Sequence, residues 1–140
     1  MRYKPFVAAA ACVAACGAIA GPAVAAKHPT ANQTRAIDRA VRGSVELDGI
    51  PTNRYRIVGE RVSTTSRYWA YAQVRPRARF QDTMDGADVL LVRPADSRRW
   101  VAVDFGTALV GCGLAPESVI ADLRGVSISQ ACPPEERIGS

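Results

Sequence analysis

Histidine is nearly absent from this sequence, which contains a single one, His28, close to the N-terminal end. A serine or cysteine nucleophile needs a positioned base, normally a histidine, and no Gly-x-Ser-x-Gly motif is present either. Cysteine is scarce too, because only Cys112 and Cys132 lie outside the first 26 residues. Two cysteines and one distant histidine cannot complete a four-ligand zinc shell. The sequence therefore argues against a serine or cysteine hydrolase and predicts no metal or other cofactor.

Blocks of basic residues are missing as well, although the formal net charge is +5. No run of Lys and Arg exceeds two residues, acidic residues are interspersed, and Lys27 is the only lysine after residue 4. Nucleic-acid binding is therefore not expected, with the alternate residues Arg75, Arg77 and Arg79 as a local exception.

The first 26 residues have the pattern of a secretory signal peptide. Arg2 and Lys4 give a positive start, and the apolar stretch 6–20 that follows is too short to span a bilayer. Gly21 and Pro22 then precede small residues that fit a cleavage site. We expect a secreted protein whose mature chain, residues 27–140, carries no transmembrane segment.

A second processing pathway has its own signal, since residues 13–17 resemble the lipobox of bacterial lipoproteins. Cys16 would then be acylated, and the protein would be anchored to the outer face of the membrane. The segment after it, residues 17–26, is apolar and rich in alanine instead of forming a polar spacer. This composition favours free secretion over the anchor.

Cys112 and Cys132 are expected to form a disulfide, because the chain is addressed to an oxidising compartment. Closing a loop of this length contributes about 3 kcal/mol in the chain-entropy model. That is a large share of the stability of a small domain.

The periodicity of the mature chain predicts one helix, four strands and a second, short helix. The helices are expected at residues 32–43 and 116–125, and the strands at 55–62, 68–74, 88–93 and 98–105. Gly59 suggests a bulge in the first strand, and the third strand, apolar on both faces, should be central. This order predicts a single α+β domain over residues 27–140, with loose ends near 27–31 and 133–140. In it, an N-terminal helix packs on a four-stranded antiparallel sheet, and the short C-terminal helix lies in a disulfide-closed loop.

Several short motifs resemble those of a group of small exported actinobacterial proteins without assigned function. They are Trp69-Ala70, the segment 100–103, Gly106-Thr107, Cys112, Pro116 with Val119, and Cys132. The resemblance covers residues 32–132 and implies no catalytic residue. A helix across a curved antiparallel sheet is also similar to cystatin-like and NTF2-like architectures, an analogy of fold alone.

Alternation along the fourth strand assigns its side chains to two faces. Val101, Val103 and Phe105 are expected to face the helix. Trp100, Ala102 and Asp104 are then expected to face the other way. This strand is the clearest in the sequence and is otherwise apolar, and we expect it at or near the centre of the sheet.

An aromatic face is the first candidate binding surface. Trp69 and Tyr71 form a one-sided pair that would join Trp100 and Asp104 on the face opposite the helix. The alternative is that these side chains form core beneath the loop closed by Cys112 and Cys132.

The segment from Arg75 to Phe80 is the second candidate. On an extended segment, Arg75, Arg77 and Arg79 would project on one side. They could grip an anionic polymer or present an arginine to a trypsin-like protease, so a protease inhibitor is the alternative function.

Carboxylates provide the third candidate, an acid and base pair drawn from Glu46, Asp48 and Asp104. Asp104 alone at the end of a strand is more typical of an outward-facing polar residue. The acidic segment 82–88 does not have the ligand spacing of an EF-hand, so turn formation explains it better. The sequence thus predicts a secreted, non-enzymatic binding or structural module with an unknown protein or envelope ligand as partner. A carboxylate-dependent hydrolase ranks third.

Overall fold

The fold confirms the predicted α+β class. The computed structural model describes residues 26–134. In chain order the helices and strands are α1 (Ala31–Arg42), β1 (Tyr55–Val62), β2 (Trp69–Pro76), β3 (Ala87–Val92), β4 (Val101–Gly106), α2 (Glu117–Arg124) and α3 (Ile128–Ala131). Short 3-10 helices at Val45–Leu47 and Ala78–Phe80 and the one-turn helix α3 are additional, and they are too short for periodicity to predict.

Helix α1 begins where its capping residues place it. The Thr30 hydroxyl accepts a hydrogen bond from the Gln33 amide at 3.3 Å, and the Gln33 side chain accepts one from the Thr30 amide at 2.9 Å. This capping box satisfies two amides that the helix itself cannot pair. Ile37 and Val41, one turn apart, are fully buried against the sheet.

The four strands form one antiparallel sheet in the order β1-β2-β3-β4. The predicted central position of β3 is confirmed, because it pairs with β2 on one side and β4 on the other. The position expected for β4 is wrong, since β4 lies at the edge of the sheet. Its apolar composition had suggested a central strand, but exposed valines account for part of it.

Each edge strand contains a bulge. The predicted bulge in β1 is confirmed: the register with β2 shifts between Val58 and Arg61, and Gly59 has φ of +67°. A second bulge was not predicted. Along β4, Ala102 pairs with Leu91 and Asp104 pairs with Leu90, so one residue, Val103, is left without a register partner.

The bulge at Val103 reverses part of the predicted facing of β4. Trp100 and Ala102 pack in the core under α1, whereas Val101 and Val103 are exposed, the opposite of the expectation. Phe105 packs on the helix face, as expected. Asp104 does point to the other face, as expected, where its carboxylate accepts a 2.7 Å hydrogen bond from the Gly111 amide. Simple alternation would put Trp100 and Asp104 on the same face of the sheet. The extra residue between them puts Trp100 on the helix face and Asp104 on the opposite face.

Both faces of the sheet are covered. On the helix face, under α1, the core contains Ile37, Val41, Leu47, Tyr55, Val62, Ala70, Ala72, Val74, Val89, Leu91 and Trp100. On the loop face, under the C-terminal segment, it contains Tyr71, Leu90, Val110, Ala115, Val119, Ile120, Ala121, Leu123, Ala131 and Cys132. The sheet therefore separates two apolar cores that belong to different parts of the chain.

The C-terminal segment is held to the loop face covalently and by close contact. The predicted disulfide joins Cys112 and Cys132 across 20 positions. Gly111 has φ of +89°, and a Cβ atom there would lie 2.5 Å from Ile120 and 2.9 Å from Leu90. Glycine is required at this position both by its conformation and by the approach of the loop to the sheet.

The N-terminal segment predicted to be loose is paired at one point. Lys27 and Val62 exchange two backbone hydrogen bonds of 3.0 Å, which extends the edge of the sheet beside β1. The predicted leader up to residue 25, with Cys16, lies outside the described residues, as does the tail from residue 135. Within residues 26–134, no helix is both long enough and apolar enough to cross a membrane.

Candidate functional site

A groove of about 700 Å³ lies between the C-terminal end of α1 and the start of β4, and we call it the edge groove. One side is formed by α1 and the turn after it, from Ala36 to Glu46, and the other by residues 98–102. Trp100 forms its floor, only 5% exposed and packed into the core of the helix face.

Local hydrogen bonds fix both walls of the edge groove. The Gly43 amide donates to the Arg39 carbonyl at 3.0 Å, and the Ser44 hydroxyl donates to the Val41 carbonyl at 2.7 Å, which ends α1 and turns the chain. Opposite, the Arg99 amide donates to the Ser97 hydroxyl at 3.0 Å in the turn before β4. The groove is thus a preformed feature of two ordered turns.

The outer edge of β4 borders this groove. β3 pairs with one side of β4, and among residues 26–134 no strand pairs with the other side. Val101 and Val103 are 48% and 39% exposed, and Val45 across the groove is 82% exposed. An edge with free backbone groups and exposed valines is a template for pairing with another extended segment.

The edge groove is basic. Arg39, Arg98 and Arg99 line it, and Glu46 is its only acidic lining residue. Within the described residues no ion pair engages the three arginines. Their positive charge is therefore available to an acidic partner.

The predicted aromatic face is not assembled. Tyr71 is buried and Trp69 half-buried on the loop face, while Trp100 is buried on the helix face. For Trp69 and Tyr71, the alternative of core beneath the disulfide loop is the one that the structure shows. The prediction that Trp100 lies on the same face as Trp69 and Tyr71 is wrong, because with the bulge at Val103 the Trp100 side chain faces α1.

The three alternate arginines do not project together from an extended loop. Arg75 lies in β2, where its guanidinium is 3.5 Å from the Asp88 carboxylate. Arg79 lies in a 3-10 helix with its guanidinium 4.8 Å from the centre of the Phe80 ring. Arg77 has extended backbone geometry and is exposed. The one-sided row of three arginines is therefore not formed, whereas the inhibitor alternative, which needs one exposed arginine on extended backbone, stays a prediction at Arg77.

The three candidate carboxylates occupy separate places. Glu46 lines the edge groove, Asp48 lines a different depression beside α1, and Asp104 is bonded to the Gly111 amide on the loop face. The structure does not bring them together in one cleft. Among residues 26–134 there is no group of three His, Cys, Asp or Glu side chains suited to a metal ion.

The three arginines of the edge groove were not predicted as a site, although Glu46 and Trp100, which also line it, were candidate residues. Arg98 and Arg99 are the first two residues of the predicted strand 98–105, and this pair was the only local signal. Arg39 comes from a helix 59 positions earlier in the sequence, so no short motif joins the three.

No family model, no curated protein and no solved structure matches this chain.

Proposed function

We propose that this protein is an exported, non-enzymatic binding module that takes up an extended acidic peptide in the edge groove. The observation that carries the proposal is the outer edge of β4, which no strand in residues 26–134 covers and which borders a groove lined by three arginines.

Strand addition explains how such a peptide would bind. Its backbone would pair with β4, and its side chains would project alternately to the two sides of that edge, one set apolar and the other acidic. Apolar residues of the peptide would cover Val45 and Val101, which are exposed in the free protein. Acidic residues would pair with Arg39, Arg98 and Arg99, which would select against basic segments.

Export is supported by two separate features. The disulfide between Cys112 and Cys132 suits an oxidising compartment, and the first 26 residues have the composition of a signal peptide. The resemblance to small exported proteins of actinobacteria agrees with this proposal. A partner outside the cell or in its envelope follows from it.

The proposal is tested with two fluorescent ten-residue peptides, one alternating Val with Glu and one alternating Val with Lys. The Val-Glu peptide is expected to bind saturably and the Val-Lys peptide on the order of tenfold more weakly or not at all. The double variant Arg98→Glu/Arg99→Glu should exchange these preferences, because it reverses most of the charge of the groove. Fluorescence anisotropy measures both affinities.

A second pair of variants tests the strand addition itself. Val103→Pro removes a backbone N–H at a bulge on an edge strand, a position that tolerates proline, and it should abolish peptide binding. Val103→Ala is the matched control and should bind as the parent does. Equal binding of both peptides, undiminished binding by Val103→Pro, or a dimer that buries β4 of both copies would each refute the proposal.

A further inference from the structure

A second cavity lies on the loop face, far from the edge groove in the fold because the sheet separates them. It measures about 260 Å³ and lies between β1, β2, β3 and the end of α2. Its polar lining residues are Arg61, Tyr71, Gln73, Asp88 and Arg124, and we call it the Tyr71 pocket.

Three of these residues are linked by hydrogen bonds. The Gln73 amide nitrogen donates to the Tyr71 hydroxyl at 3.3 Å and to the Asp88 carboxylate at 3.1 Å. Asp88 also faces Arg75 at 3.5 Å. The only carboxylate that lines the pocket is therefore already compensated by partners in the sheet.

Two arginines that line the same pocket have N–H groups beyond those that bond to the protein. One guanidinium nitrogen of Arg61 donates to the Leu123 carbonyl at 3.4 Å, and one of Arg124 donates to the Ala131 carbonyl at 3.1 Å. Each guanidinium carries five N–H groups in a planar fork. These bonds orient the two side chains and leave further donors without an acceptor within residues 26–134.

The base of the pocket adds no second negative charge. Burial, more than any neighbour, raises the pKa of Tyr71 to about 12, with Asp88 acting in the same direction. The phenol is therefore neutral at physiological pH and does not oppose an anion beside it.

We infer that the Tyr71 pocket binds a small oxyanion between the guanidinium groups of Arg61 and Arg124. Paired planar donors recognise carboxylate, phosphate and sulfate through two parallel hydrogen bonds. A cavity of 260 Å³ is large enough for an ion of this size. This site is independent of the edge groove, since the two share no lining residue.

The inference is tested by titrating the isotope-labelled protein with sodium sulfate, sodium phosphate and sodium acetate, with total ionic strength held constant by sodium chloride. NMR spectra of the backbone amides and arginine Nε–H groups should show saturable shifts centred on residues 59–61, 71–73 and 123–126. The order of the three affinities identifies which oxyanion the pocket prefers.

Variants of the pocket separate specific binding from general attraction. Arg61→Gln and Arg124→Gln should each weaken the preferred ion on the order of tenfold, and Arg61→Lys, which retains the charge but lacks the fork, should weaken it less. Arg56→Gln, at an exposed position on the same strand as Arg61 but outside the pocket, is the matched control and should leave the affinity for the ion unchanged. Arg61→Gln should also leave peptide binding intact, so that failure of one proposal does not imply failure of the other. Shifts that do not saturate, or that persist in both glutamine variants, would show that the pocket holds no such site.

Discussion

Asp122 on the loop face and Asp38 on the helix face are both at least partly buried, and their carboxylates differ in hydrogen bonding. On the loop face, Asp122 of α2 accepts hydrogen bonds from the Ser63 hydroxyl at 2.7 Å, the Thr64 amide at 2.7 Å and the Thr64 hydroxyl at 3.0 Å. On the helix face, one oxygen of Asp38 in α1 is buried without any hydrogen-bond partner within the described residues, and its neighbour is Glu60 of β1.

The comparison shows that the two faces are held by different means. The helix face relies on the apolar side chains of α1, such as Ile37 and Val41, and its carboxylate opposes that contact. The loop face also buries apolar side chains, including Val119, Ile120 and Leu123 of α2. Because α2 is too short to be stable as an isolated helix, the disulfide and the hydrogen bonds of Asp122 hold it in addition. A short segment with little regular structure is held to the sheet by a disulfide and hydrogen bonds. A longer amphipathic helix is held by the apolar surface that it buries.

Of the changes that test how the two faces are held, removing the disulfide should have the largest effect on the free energy of unfolding. The variant Cys112→Ser/Cys132→Ser is expected to lose about 3 kcal/mol in the free energy of unfolding, because it frees a 20-residue loop in the unfolded chain. Urea unfolding measures the loss.

The two tryptophans report which face responds to that loss. Trp69 lies on the loop face and Trp100 on the helix face. With Trp100→Phe the emission of Trp69 should shift in the native state of the serine variant, whereas with Trp69→Phe that of Trp100 should not. A loss of less than about 1 kcal/mol would mean that apolar burial alone holds the loop face.

The substitution Asp122→Asn should have the next largest effect and lower the free energy of unfolding by about 2 kcal/mol. The asparagine side chain keeps the shape of the aspartate, but it loses the charge and one of the two acceptor oxygens. Several donors in the turn after β1 would then lack a partner. Chemical unfolding at neutral pH measures the change. A cost below about 0.5 kcal/mol would show that water replaces the carboxylate at this turn.

The same substitution on the helix face, Asp38→Asn, should act in the opposite direction and stabilise the protein by a few tenths to about 1 kcal/mol at neutral pH. Burial, and then the neighbouring Glu60, raise the pKa of Asp38 above its ordinary value of 3.8. An amide cannot ionise, so it removes the repulsion with Glu60.

The raised pKa of Asp38 also predicts how the stability of the protein changes with pH. Since the folded pKa of Asp38 is raised, the folded state retains a proton that the unfolded state loses above pH 3.8. The contribution of Asp38 to the free energy of unfolding therefore falls as the pH rises from 3.8 through the raised pKa, and it stays at the lower value at higher pH. Asp38→Asn should abolish that part of the decline, as measured by unfolding at a series of pH values. A parallel curve for parent and variant would contradict the assignment.

The sequence was sufficient wherever one segment carries its own signal. The apolar spacing of Ile37 and Val41 predicted α1, Gly59 produces the bulge in β1, and the only two cysteines after residue 26 pair. In each case the physical cause lies within a few residues or, for the disulfide, in the absence of any other partner.

Only the tertiary structure decided the position of β4 and the site beside it. Alternation describes a strand in isolation, but Trp100 must fill the core under α1 while Asp104 must reach the Gly111 amide on the opposite face. The bulge at Val103 reconciles these two demands, and both come from segments distant in sequence. The edge groove arises in the same way, because the end of α1 and the start of β4 meet only after the sheet has formed.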